Sequence, residues 1–166
     1  MIEADEHIEL LDGLIVTMPP IGIPHWTTHA RIVKYLIKTF NERAAVAGDI
    51  SIPLGKRNEP YPDIAVLANL PYARPNSTPE PSQIYAMVEL ADSSLAKDTF
   101  TKRRIYGRFA IADYVVVDQN ANVVLHFSHP VDGDYPEPRR LELGDVFTFS
   151  ALPDIELEAG RFLVEP

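Results

Sequence analysis

Two carboxylates stand inside runs that otherwise read as buried strands. They are Asp63 in Tyr61-Pro62-Asp63-Ile64-Ala65-Val66-Leu67 and Glu89 in Ile84-Tyr85-Ala86-Met87-Val88-Glu89-Leu90-Ala91. A carboxylate in an apolar strand is costly to desolvate unless something pairs with it. Lys102 follows in Asp98-Thr99-Phe100-Thr101-Lys102-Arg103-Arg104-Ile105-Tyr106. Two acids around a hard cation, with an ammonium in reach, form the group set of metal-assisted phosphodiester hydrolysis. The plainer alternative is that both acids are strand-end charges facing water.

Asp98, Lys102 and Tyr106 step at i, i+4 and i+8 and share one helix face. Structurally this is a surface ion pair with an aromatic neighbour, worth about 0.3–0.5 kcal/mol. Functionally, Lys102 reaches back to Glu89, where it orients or helps deprotonate a water, or stabilises charge on phosphate. His25 and His29 are also i, i+4, at a helix start. The zinc-protease pattern needs Glu after the first histidine, and Trp26 stands there with no third ligand evident. Capping, a neutral role or a phosphate contact at the helix N-terminus suits them better. Glu9, just before Asp12-Gly13, is either a third metal carboxylate or an exposed hairpin residue. No Gly-rich phosphate loop or nucleophile elbow occurs.

The elements that must position these groups follow from periodicity and turn chemistry. Ile8–Leu11 and Leu14–Met18 around Asp12-Gly13 read as a hairpin. Ile32, Val33, Leu36, Ile37 and Phe40 recur at helical spacing and predict a helix from Trp26 to Ala47, ending near Gly48. Strands are expected at 49–54, 61–67 and 84–91, with a turn at 55–60 and an exposed Pro-rich loop over 69–83. A helix over 98–109, capped by Asp98, leads to strands at 113–118 and 122–127. Residues 129–140 read as turns, and short strands are expected near Phe147 and Ile155. The first three strands make a meander, and the helix crosses to a strand parallel to the third. The fold class is therefore α/β, a mixed β-sheet with a helix on each face and an N-terminal β-hairpin. The start of one strand lies beside the end of its antiparallel partner, so Asp63 and Glu89 can meet at one sheet end. Such a pair suits Mg²⁺ or Mn²⁺.

A length of 166 residues predicts a single domain over 1–166. A hydrophobic fraction of 46% is enough for a core without staples. The absence of Cys excludes disulfides and Cys-based zinc sites and suits the cytoplasm. No apolar run approaches the roughly 20 residues that cross a bilayer, so no membrane partner is expected. A net charge of −9 argues against strong non-specific binding to nucleic acid. A bound cation locally reverses that sign.

Five segments together resemble the bacterial restriction endonuclease family of the Uma type, within the PD-(D/E)xK nuclease superfamily. They are residues 8–13, Pro20-Ile21-Gly22-Ile23-Pro24-His25, Tyr61-Pro62-Asp63-Ile64, Val88-Glu89-Leu90-Ala91-Asp92-Ser93-Ser94-Leu95, and Asp98 to Tyr106 running into 113–118. The resemblance implies a restriction endonuclease-like fold, with Asp63 and Glu89 as metal ligands and Lys102 as the catalytic lysine. It also implies Glu9 as a further acidic site residue and His25 as the histidine of a Gly-x-x-His motif. The superfamily's lysine usually lies two residues after the Glu, where this chain has Ala91; Lys102 matches a lysine moved to the next helix. Asp113-Tyr114-Val115 replaces the family's frequent Glu-Tyr-Trp, and the usual Gly is missing from Phe109-Ala110-Ile111, as packing changes. The implied activity is Mg²⁺- or Mn²⁺-dependent endonucleolytic hydrolysis of DNA by a homodimer. The alternative is a non-catalytic module binding nucleic acid or protein.

Overall fold

The structure is a computed structural model that describes residues 8–18, 20, 22–69 and 78–164. The chain opens with the hairpin β1 (Ile8–Leu11) and β2 (Leu14–Thr17). Asp12 and Gly13 both take positive φ, +52° and +84°, as a two-residue hairpin turn of this kind requires. Helix α1 runs from Ile23 to Phe40 with Pro in its first turn and buries Thr28, Ile32, Leu36 and Phe40, a stripe of four-residue steps.

The helix stops earlier than its alanine-rich continuation predicts. Asn41 takes φ +50° and ends α1. Ala44–Gly48 then form strand β3 instead of a last helical turn. Local alanine propensity is overridden because these five residues pair one for one with the next strand. The expected strand at 49–54 is displaced accordingly. That stretch belongs to no ladder; Ile52 and Leu54 are buried, and their amides donate to the carbonyls of Pro60 and Asn58.

Strands β4 (Ile64–Ala68) and β5 (Ile84–Ala91) continue the sheet. Within the connection expected as an exposed loop, residues 70–77 lie outside the described residues. A helical run follows β5: a π-helical stretch, Lys97–Lys102, then α2 (Arg103–Arg108). It begins at Ser94, whose carbonyl accepts the Asp98 amide, so Ser94 and not Asp98 stands at the cap. Strands β6 (Asp113–Asp118), β7 (Val123–Ser128) and β8 (Arg139–Leu141) complete a six-stranded sheet in sequential order β3 to β8. β8 lies in the stretch expected as turns. Only β5 and β6 run parallel. β9 (Val146–Phe149) and β10 (Leu152–Glu158) form a separate antiparallel pair.

Strand alternation divides the core between the two faces. Ile64, Val66, Val88, Leu90, Val115 and Val117 pack with α1 and the β9–β10 pair. Ala65, Met87, Ala91, Tyr114 and Val116 pack with Ile105, Tyr106 and Leu11 of the hairpin. The architecture is the expected mixed α/β sheet flanked by helices. None of the described helices is long and apolar enough to cross a membrane.

Candidate active site

Glu89 shares its strand phase with Met87 and Ala91, so it points under α2 and is only 4% exposed. Asp63 immediately precedes β4. Ile64 pairs with Val88, and one further step of the same antiparallel register sets Asp63 beside Glu89. The backbone ties them: the Leu90 amide donates to Asp63 Oδ2 at 2.6 Å. The two acids expected to meet at one sheet end do so.

Lys102 lies beneath the surface, 2% exposed. Its Nζ is 3.0 Å from Glu89 Oε1 and 2.6 Å from Glu9 Oε1. The hairpin thus supplies the lysine's second carboxylate. Glu9 is 1% exposed because it shares the inward phase of β1 with Leu11. Its Oε1 also accepts the Tyr61 amide at 3.0 Å, and its Oε2 faces Lys97 Nζ at 3.1 Å. Tyr106 hydroxyl donates to Glu89 Oε1 at 2.9 Å. Asp98 is buried on the same inward face; Ser94 hydroxyl donates to its Oδ2, while its Oδ1 is buried without a partner among the described residues. The reading of Lys102 as an exposed ion pair, and of Glu9 as an exposed hairpin residue, does not hold. Lys97 was not singled out in the sequence, because nothing there places β1 against this helix.

His25 and His29 converge on Asp63 from the N-terminal half of α1. His25 Nε2 donates to Asp63 Oδ1 at 3.1 Å, and His29 Nε2 donates to the Asp63 carbonyl at 2.8 Å. That carbonyl also accepts the Asp49 amide at 3.1 Å. Their four-residue spacing therefore clamps one aspartate, side chain by one imidazole and backbone by the other. Gly48 makes room for this. A Cβ there would lie 2.7 Å from His29 Cε1. The Asp63 and His25 side chains are 17% and 23% exposed, so they form the open rim of a site whose floor is Glu9, Glu89 and Lys102.

The family model for Uma2, "Putative restriction endonuclease", matches residues 1–160. The chain belongs to the Uma2 family. Among solved structures, it is similar to the crystal structure of "a putative nuclease belonging to DUF820 from Anabaena variabilis ATCC 29413". The TM-score is 0.77 over 98% of this chain and 92% of that one, at 15% identity, a likeness of fold. No curated protein matches.

The electrostatics of this Uma2 site follow from charge crowding. Burial raises the Glu89 carboxyl well above the usual range; Lys102 opposes that, and Asp98, Asp63 and Glu9 reinforce it. Burial works against the Lys102 ammonium too, but Glu89, Glu9 and Asp98 outweigh it and raise its pKa. Burial likewise raises Glu9, yet Lys102, the Tyr61 amide and Lys97 together bring it below the ordinary carboxylate value. The hydrogen bond to Asp63 raises His25, against burial. Three acids (Glu9, Glu89, Asp98) thus act on the ammonium of Lys102, and a fourth, Asp63, stands beside Glu89, with Lys97 and His25 at the rim. That local excess of hard oxygen donors fits a divalent cation. No trio of His, Asp or Glu among the described residues forms a ready metal cage. A Mg²⁺-type site with one or two carboxylates and several waters does not require one.

Proposed function

We propose that this protein is a Mg²⁺- or Mn²⁺-dependent endonuclease that hydrolyses phosphodiester bonds of DNA and acts as a homodimer, since cutting both strands takes two sites. The observation that carries the reading is the buried Lys102, held within 3.0 Å of both Glu9 and Glu89 at the sheet end where Asp63 sits. Asp63 and Glu89 would hold the cation. Such a cation, when bound, lowers the pKa of water and polarises a phosphate oxygen.

The chain's own groups supply the rest. Water adds at phosphorus, the P–O ester bond breaks, and a phosphate monoester and an alcohol result. Lys102 is held as an ammonium by three carboxylates, so it serves to stabilise charge developing on phosphate and not to take a proton from water. Glu9 keeps that ammonium aimed. His25 stands at the rim beside Asp63, where its N–H orients the carboxylate and its raised pKa favours the cationic form beside an incoming phosphate.

The test is cleavage of supercoiled plasmid in Mn²⁺ by wild type, Asp63→Asn and Lys102→Met. We expect nicking by wild type and a loss of at least 100-fold in both variants, with circular dichroism unchanged for the isosteric Asp63→Asn. Equal cleavage by all three marks a contaminant and removes the proposal. Failure of wild type to cut DNA or RNA with either cation supports a second reading, a non-catalytic binding module that keeps the fold. The net charge of −9 favours that reading.

A further inference from the structure

A groove of about 1080 Å³ runs along the outer side of α1, walled by the C-terminal segment around Arg161, and it does not include Asp63, Glu89 or Lys102. Pro24, Thr27, Arg31, Lys34, Lys38 and Arg161 line it, and among the described residues that line it none is acidic. This is unusual in a chain with 24 acidic and 15 basic residues. The whole of α1 contains no Asp or Glu, while Arg31, Lys34 and Lys38 follow one another at helical spacing on one face. All three are exposed, as is Arg161. Neither Lys34 nor Lys38 forms an ion pair among the described residues. Arg31 Nη1 donates to the Arg161 carbonyl, which ties the two walls together.

We infer that this groove binds the sugar–phosphate backbone of duplex nucleic acid and leads it to the catalytic rim; the inference rests on the nuclease reading. Arg161 is paired with Glu158, but Lys34 and Lys38 are clustered basic groups on a helix without acids of its own, the electrostatic footprint of phosphate binding, and local charge outweighs the chain's net −9. Arg31 to Lys38 spans about 10 Å of helix, the rise of about three nucleotides along one strand. The groove starts at Pro24 and Thr27, in the same turn of α1 as His25, so a backbone lying in it runs toward the Asp63 edge. Stacked single-stranded bases suit it less. Its one aromatic lining residue, Tyr35, has its ring against Phe162 and under the Arg161 guanidinium, and its hydroxyl accepts the Glu158 amide. No free aromatic platform is left in the groove.

The probe is a fluorescein-labelled random duplex of about 20 bp, titrated by anisotropy in EDTA so that cleavage plays no part. Lys34→Glu/Lys38→Glu is compared with wild type and with Arg139→Glu/Arg140→Glu, which makes the same charge change at exposed positions on β8. We expect the groove variant to lose at least tenfold in affinity at about 0.1 M salt and its log K against log salt slope to fall by about 2. The β8 variant should stay within about threefold of wild type. Equal effects of the two double variants, no effect of either, or no duplex binding by wild type each overturns the groove assignment. Plasmid cleavage with intact binding by the groove variant leaves the nuclease reading standing without the groove. Groove-dependent binding without cleavage leaves the groove and removes the catalysis.

Discussion

At the scale of single residues, the decisive fact is that Lys102 has exchanged water for carboxylates. Its pairing with Glu9 and Glu89 is not the exposed helix pair worth about 0.3–0.5 kcal/mol, because removing one partner of a buried pair leaves the other charge uncompensated. Lys102→Ala should therefore cost about 3–5 kcal/mol of stability, read from urea denaturation. A cost below about 1 kcal/mol, the range of surface pairs, contradicts the burial. Glu89 gives a prediction of opposite sign. Its folded pKa lies above the ordinary carboxyl value of 4.5, so between the two the folded state binds more protons than the unfolded state. Stability of the metal-free protein therefore falls as pH rises through that window. Glu89→Gln should abolish the fall and raise the melting temperature in EDTA at pH 7.5, while leaving it nearly unchanged at pH 4. A lower melting temperature at pH 7.5 would show that ionised Glu89 is instead a net stabiliser.

At the scale of elements, the site is assembled by three segments that the chain separates widely. The hairpin brings Glu9, α1 brings the histidines, and the helical run after β5 brings Lys97, Lys102 and Tyr106. That run is π-helical over the residues that carry the lysines, and its wider turn sets Asp98 and Lys102 both inward. The junction of α1 with β3 is equally specific. Gly48 admits the His29 ring, and His29 holds the Asp63 carbonyl. Gly48→Ala should destabilise by about 1–3 kcal/mol and reduce cleavage, because the ring must leave its place. In a His29→Ala background the same substitution should cost little, so a double-mutant cycle should give a coupling of at least about 1 kcal/mol. Additive effects would rule out the clamp. Much at this scale was legible in the sequence: the Asp12-Gly13 turn, β5 and β6 to the residue, and the apolar stripe of α1. The end of α1 and the position of β3 were not, since Ala44–Ala47 favours a helix locally and only pairing with β4 makes it a strand.

At the scale of the whole molecule, the acidic site and the basic groove divide the charge of a protein that is negative overall. Crowded carboxylates should make cation binding stabilising, by about 2.7 kcal/mol at 100 times the dissociation constant. For a chain of this size that is a rise of about 5–10 °C in melting temperature on adding Mg²⁺ or Mn²⁺. The rise should be absent in Asp63→Asn; an equal rise there would place the cation elsewhere. The sequence by itself determined the chemistry on offer. Asp63 and Glu89 are legible because carboxylates in apolar strands contradict their surroundings, and antiparallel register alone brings a strand start beside a strand end. Lys102 is legible as a candidate from its helical spacing with Asp98 and Tyr106. Only the tertiary structure decided that the lysine is buried, that Glu9 is its second partner, that both histidines serve Asp63, and that the basic face of α1 meets the C-terminal segment in a groove. Those are contacts between residues dozens of positions apart, set by how the two layers pack on the sheet, and no local pattern of residues encodes such a distance.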